Sequence, residues 1–356
     1  MSGGHLAGSY QSGGESRQTA QGSTGKQKEQ GPKPNVMDDI GYQQVHEGAA
    51  IGAVQPRAQL AVAGKDRASF LQGLLTNDIQ ALEPGTGCYA AWLTPQGRML
   101  TDLHVLESGG MMLLDVPQFT ADACLARLEQ FHFSEEVVIS SLSGSLVGVW
   151  LHGPQAPVVV GAVLEGAQAL AEWPSYRHRP LVYQGEPAVL VRIDQLGVPG
   201  FCIYVSPARE ESLMASLVAA GAVNVGQEAI DAARIEAGCP LFGVDMNTDT
   251  IPLEAGIEGR AISTTKGCYV GQEVIIRVLH RGHGRVAKHL VLLSVEGPTQ
   301  VGAPVFAGER EVGRVTSAGV SPRAGALALG YVHRDFAAPG TEFTIGGVPA
   351  RLRNRE

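Results

Sequence analysis

Lys266-Gly267-Cys268-Tyr269-Val270-Gly271-Gln272-Glu273 is the stretch from which the rest of this sequence is read. Glycine lets a backbone adopt positive φ or approach a ligand closely, and here two glycines flank a Cys-Tyr-Val core. Cys268 lies two residues from Lys266. A free thiol of pKa ~8.5 is only about 3% thiolate at neutral pH. Lowering that pKa by ~1.5 units takes roughly 2 kcal/mol, within reach of one nearby cation and a helix N-terminus. Cys268 and Lys266 are therefore candidates for a reactive pair. The plainer reading of Cys268 is a small hydrophobe packed in a core.

Working outward, residues 260–289 carry Arg260, Lys266, Arg277, Arg281, Arg285 and Lys288 against a single acid, Glu273. The chain as a whole is acidic, 27 basic against 35 acidic side chains, net −8. So local a concentration of cations reads as an anion site for a carboxylate, a phosphate or a nucleic-acid backbone. It also reads as a solvated basic linker. His280, His283 and His289 are loosely spaced on Gly-rich sequence and do not match zinc patterns, so no metal site is expected.

The overall balance narrows the function classes. An acidic chain with 6% aromatic residues is poorly suited to holding nucleic acid directly. No uninterrupted apolar run reaches the ~18 residues of a membrane span, and the N-terminus lacks the apolar centre of a signal peptide. The five cysteines, Cys88, Cys124, Cys202, Cys239 and Cys268, are odd in number and widely spaced. That signals neither a disulfide framework nor a zinc site, and a reducing cytoplasm is the expectation. The first four fit core positions of strands or helices.

Residues 1 to about 36 are polar and rich in Gly, Ser and Gln, too poor in apolar surface to offset the entropy of ordering. A disordered tail over 1–40 is expected. From residue 59 the pattern sharpens. A strand at 59–63 turns at Gly64 into a short helix that Asp66 is placed to cap, with Phe70, Leu71, Leu74 and Leu75 on one face. A meander follows at 88–93, 99–106 and 111–116, then a helix at 121–131 with Cys124, Leu125, Leu128 and Phe131 on its stripe. Further strands are read at 137–139, 146–151, 188–193 and 201–205, and helices at 158–164, 208–220 and 227–237. Gly238 stops the last helix. Beyond Gly284 only short strands with Gly/Pro turns appear, the pattern of a small β sandwich or barrel. Helices mixed with strands, then strands alone, give an α+β protein, divided here into 41–284 and 285–356.

These residues carry a resemblance. Lys266 to Glu273, followed by Arg277, resembles the K-G-C-Y-x-G-Q-E signature of the YgfZ-type folate-binding proteins. Residues 70–78 (FLQGLLTND) and Thr94-Pro-Gln-Gly-Arg98 with Asp102 are similar to segments near that family's N-terminus. Residues 234–238, 252–255 and 313–317 are similar to segments of the glycine-cleavage T-protein. The resemblance implies two mixed α/β subdomains and a small C-terminal β-barrel around a central channel for tetrahydrofolate. It implies a role in maintaining or repairing iron–sulfur clusters, including those of tRNA-modifying enzymes. The partners would be iron–sulfur client enzymes or cluster-assembly proteins. By position it sets Asp102 and Arg192 near the folate, with Lys266, Cys268, Tyr269, Gln272, Glu273 and Arg277 facing it.

The alternative is a tetrahydrofolate-dependent aminomethyltransferase like the T-protein, and whether any reaction is catalysed stays open. The T-protein grips its pterin with a glutamate in a glycine-rich segment. The resemblance sets Val198 of the corresponding residues 192–200 (RIDQLGVPG) there, and valine offers no acceptor to adjacent N–H donors.

Overall fold

The structure, a computed structural model, describes residues 39–281 and 284–353; of the tail expected over 1–40, residues 1–38 lie outside them, and Asp39 and Ile40 instead begin the helix Asp39–Glu47. Two sheets, antiparallel but for one short parallel pair in the second, and a closed barrel make up its frame. The first sheet has five strands, in the order Thr86–Leu93, Met99–Glu107, Met111–Pro117, Arg57–Ala63, Val138–Ser141. The helices Arg67–Gln72 and Ala121–Phe131 cover one face, where Leu60, Val62, Leu71, Trp92, Val105 and Leu128 form a core. Asp66 stands at the start of the first helix without capping it. Its carboxylate instead accepts from the Glu136 N–H at 2.8 Å and ties the helix to the next strand connection.

The second sheet orders Val223–Asn224, Ala50–Ile51, Val147–His152, Gly200–Val205, Glu186–Arg192, His178–Tyr183. Every residue of Gly200–Val205 is buried, because both faces of this strand are covered. Phe201 and Ile203 face the helices Ala156–Val163 and Pro207–Ala219. Cys202 and Tyr204 point the other way, against Leu106 and Leu113 of the first sheet. That shared layer joins the two sheets back to back.

The barrel closes through Lys288–Val295, Gly325–His333, Arg310–Ser321, Pro304–Ala307, Glu342–Ile345 and Val348–Arg353. Its interior is filled by Val291, Leu293, Val305, Ala328 and Phe343, among others. The alternate residues Leu290, Leu292, Leu327 and Leu329 face outward and meet Ile235 of the helix Gln227–Glu236. This helix is clamped between the barrel and the rest of the chain, which explains a buried surface of Ala229, Ile230, Ala232 and Ala233. It also carries two buried charges. Arg234 reaches Asp245 at 3.1 Å and Ser317 at 3.0 Å. Glu236 accepts from Tyr42 and from Ser321 of the barrel. The α+β class and the C-terminal barrel are therefore as the sequence implied. Among the described residues, no helix is long and apolar enough to cross a membrane.

Candidate functional site

A cavity of about 550 Å³ opens where the turn after Glu186–Arg192, the end of the Gln227–Glu236 helix and the barrel turn that carries Arg323 approach one another. Asp194 and Gln195 line one side, Glu236 and Cys239 another, and Arg260, Arg323 and His46 complete it. The helix can deliver Cys239 there because Gly238 takes φ 65°, a left-handed turn that ends the helix and folds the chain back. Arg260 sits with its guanidinium 4.6 Å from the centre of the Tyr89 ring and 4.0 Å from the Cys239 sulfur. It is surrounded by protein on most sides yet remains open to solvent, as a group on a channel wall does.

Behind Arg260 lies a polar layer. The Tyr89 hydroxyl donates to Asp102 Oδ2 at 2.7 Å. Asp102 Oδ1 has no hydrogen-bond partner, and the nearest cation, Arg57, stands 4.0 Å away. Asp102 is only 4% exposed, so this is an orphaned acceptor in a buried setting. Burial, and then the charge of Asp102, push the Tyr89 phenol well above its ordinary range. His104, two residues along the same strand face, hydrogen-bonds Tyr176 at 3.1 Å and Gln195 at 3.2 Å. Burial, and then Arg57 and Arg260, hold the His104 ring neutral, well below the usual imidazole range. Tyr176 adopts φ 66° without being glycine, a strained conformation that puts its hydroxyl on His104.

The residues singled out from the sequence fall in separate settings. Asp102 lies in the polar layer just described. Arg192 spends its guanidinium on Asp194 and on the carbonyls of Ala171 and Trp173, pinning the turn that carries Gln195. Lys266 is 8% exposed, and its ammonium donates to the carbonyls of Gln72, Leu75 and Asn77 at 2.6 to 2.8 Å. Burial lowers it to about 8. That still leaves it protonated at neutral pH, with three protons for three carbonyls. Lys266 is thus built into the Phe70–Asp78 segment, and no proton remains to hold a ligand anion or a thiolate. Cys268 is exposed.

Tyr269 packs into a core beneath Lys266, with its phenol pushed up to about 12 by burial. Gln272 borders a small hollow of about 10 Å³ with Tyr269 and Thr264. Glu273 and Arg277 form an exposed ion pair with each other. Of the cations of 260–289 that the structure describes, Arg260 is the one lining the cavity beside Asp194 and Gln195; Lys288 lies over Tyr331 and lines a separate depression on the barrel. The expected single basic pocket around Cys268 is therefore divided.

Four residues of the cavity and its polar backing carry no mark in the sequence: Tyr89, His104, Tyr176 and Cys239. The one usable signal was alternation. Asp102 and His104 share a strand face that ought to be apolar in a buried sheet. Cys239, read from the sequence as a core cysteine, is buried and also lines the cavity. Among the described residues no group of three or more His, Cys, Asp or Glu is placed to hold a metal ion.

The frame and the cavity at the meeting of its parts define a class. Residues 34–266 match the GCVT N-terminal domain, and residues 288–352 match the glycine cleavage T-protein C-terminal barrel domain. The chain belongs to the glycine cleavage T-protein (GCVT) family. It is 31% identical over 306 residues to an aminomethyltransferase of Thermosynechococcus vestitus, covering 85% of this chain and 82% of that one. An aminomethyltransferase of Rubrobacter xylanophilus is 31% identical over 317 residues, covering 88% and 82%. The crystal structure of the glycine cleavage system aminomethyltransferase T from Bartonella henselae superimposes with a TM-score of 0.79 at 25% identity, covering 88% of each chain.

Proposed function

We propose that this protein binds a tetrahydrofolate in the cavity between Gln195 and Arg260. The observation that carries the proposal is the orphaned Asp102 oxygen behind Tyr89 and Arg260. A buried carboxylate oxygen without a donor is costly; Asp102 stands behind the cavity wall rather than among its lining residues, so a ligand N–H would satisfy it where Tyr89 and Arg260 give way. Arg260 adds a cation for an anionic or carbonyl group of the same ligand. Bound folate would supply a carrier for a one-carbon unit; Tyr89 and Arg57 hold and charge-balance Asp102, and Gln195 and Arg260 orient what enters. Calorimetric titration of the purified protein with tetrahydrofolate tests this. Saturable binding, weakened about tenfold or more by Asp102→Asn and by Arg260→Ala, is expected. Absence of binding to the wild type would sink it.

Two readings follow for what the folate does. The first is aminomethyl transfer, favoured by the aminomethyltransferases to which the chain is similar. Formation of methylene-tetrahydrofolate from an aminomethyl donor is its assay. The second is an accessory role toward iron–sulfur enzymes in the cytoplasm, with client or assembly proteins as partners. Here the exposed Cys268 favours it, since a surface thiol is available to another protein. Val198, which lines the cavity, also favours it by offering no carboxylate for a pterin. One cysteine cannot hold a cluster alone, so a partner or small thiol would complete any ligand set. Loss of iron–sulfur enzyme activity in cells carrying Cys268→Ser, with no aminomethyl turnover by the wild type, supports the second reading over the first.

A further inference from the structure

Two carboxylates line the cavity, and both are already engaged. Asp194 accepts from Arg192 Nε at 3.2 Å and from the Gly200 N–H at 2.9 Å. Glu236 accepts from Tyr42 and Ser321, with Arg323 at 3.8 Å. What remains to meet a hydrogen-bond donor on a ligand is Gln195. Its amide nitrogen lies 3.2 Å from His104 Nε2. An amide nitrogen only donates, so His104 Nε2 must accept, and the ring proton must sit on Nδ1, shared with the Tyr176 oxygen at 3.1 Å. This chain, Tyr176 to His104 to Gln195, uses one of the two amide protons and fixes which way the amide faces. The Gln195 carbonyl oxygen takes no hydrogen bond among the described residues, and Gln195 lines the cavity.

The surroundings keep the chain in that state. The ring of Tyr89 lies 5.6 Å from the His104 ring centre and that of Trp150 at 6.4 Å, so the imidazole is flanked by aromatic rings on both sides. Arg57 and Arg260 are the charged groups acting on His104, and both oppose a positive ring. A neutral imidazole with one accepting nitrogen is what the geometry needs.

We infer that His104, held by Tyr176, fixes the Gln195 amide so that its carbonyl faces the cavity as a neutral acceptor for the N–H edge of a bound ligand. Gln195 is then a specificity-determining residue and His104 and Tyr176 are positioning residues. The ligand class is a heterocycle presenting a ring or amino N–H, which rests on the folate reading above for its identity as a pteridine. A neutral acceptor discriminates differently from a carboxylate. It takes an N–H donor without preferring a protonated ring.

The test begins with the unliganded wild type, labelled with ¹⁵N-histidine and assigned through His104→Asn. Long-range ¹H–¹⁵N correlation reads the tautomer directly. Nδ1 protonated with Nε2 bare supports the assignment; Nε2 protonated overturns it, because the amide would then face the other way. Tyr176→Phe is expected to mix the two tautomers with the fold retained, and an unchanged single tautomer would remove Tyr176 from the relay and overturn the positioning claim. In the second arm, Gln195→Leu is expected to weaken tetrahydrofolate binding about tenfold, with the circular dichroism of the wild type. Unchanged affinity in a folded Gln195→Leu overturns the specificity role. Should the wild type bind no tetrahydrofolate, the folate reading falls, and the orientation of Gln195 is decided by the tautomer alone.

Discussion

A Cβ placed on Gly271 would stand 2.5 Å from the Thr94 carbonyl oxygen, so these two backbones meet with nothing between them. Gly271 also holds φ 85°, which side-chain-bearing residues rarely adopt. The same contact has a second half, since Gly97, at φ 76°, would meet Val274 at 2.9 Å. The Lys266–Glu273 stretch and the Thr94–Arg98 turn are therefore interlocked, and two of their glycines are needed for that fit. Gly271→Ala is expected to cost about 2 kcal/mol or more in urea unfolding, from backbone strain and the clash together. A variant as stable as the wild type would mean that the turn simply moves aside.

Lys266 closes the same region from beneath. Removing its ammonium leaves the carbonyls of Gln72, Leu75 and Asn77 without their donor. Lys266→Met is expected to destabilise the fold by about 3 kcal/mol. A folded fraction of the variant should retain tetrahydrofolate affinity within a few-fold. The reverse pattern, wild-type stability with affinity lost, would make Lys266 a ligand group after all.

Cys268 is exposed, while Cys124, Cys202 and Cys239 are buried and Cys88 is half-buried. Burial pushes Cys88 up to about 12 and Cys124 up to about 11, which removes their thiolates at neutral pH. A disulfide reagent added to the native protein at pH 7.5 should therefore consume one thiol equivalent quickly. That fast phase should vanish in Cys268→Ser. Two or more fast equivalents would show that a second cysteine is reachable.

Local pattern and long-range assembly differ in how they are written in this sequence. The helix Ala121–Phe131 is legible because Cys124 and Leu128 repeat at its period and both are buried. The barrel is legible because its strands alternate between Gly turns. The strand His178–Tyr183 is not, since it forms the sheet's edge, carries Pro180, and exposes Arg179 and Val182. Ala50–Ile51 and Val223–Asn224 are two residues each, too short for any periodicity. At the site, a cluster of positive charge in sequence proved to be several cations with separate partners. Lys266 finds its acceptors about 190 positions away, and Arg260, on the short helix Glu258–Ala261, finds Tyr89 in the first sheet. Charge counted along a chain carries no information about such pairings.

Asp245 is a buried junction between the Gln227–Glu236 helix and the barrel. It accepts from Arg234 at 3.1 Å, Thr316 at 2.6 Å, Ser317 at 2.7 Å and the Leu241 N–H at 3.1 Å. Removing it takes one of two carboxylates from the buried Arg234, which keeps Asp231 at 2.6 Å, and leaves the Ser317 hydroxyl without its acceptor. Asp245→Ala is expected to cost about 2–3 kcal/mol. Hydrogen exchange should quicken first at Arg310–Ser321, where the helix meets the barrel. Uniform loss of protection across both sheets would mean that the junction has no local role.

His152 gives the fold its sign with pH. It is 0% exposed, and its ring stacks on Trp150 with centres 6.2 Å apart. The Gly52 backbone lies close enough to favour a protonated ring slightly, yet neither nitrogen makes a hydrogen bond within normal limits. Burial therefore dominates and lowers the imidazole to about 4, from an unfolded value of 6.5. A group depressed in the folded state binds its proton more readily when unfolded. Stability is thus fully present above pH 6.5 and is lost as pH falls toward 4, at roughly 1.4 kcal/mol per pH unit. His104 is shifted in the same direction by burial and adds to the slope. His152→Leu removes one titrating ring without removing a hydrogen bond. Between pH 6.5 and 4.5 its urea midpoint should fall less steeply than that of the wild type, and parallel slopes would mean that His152 is protonated in the native fold.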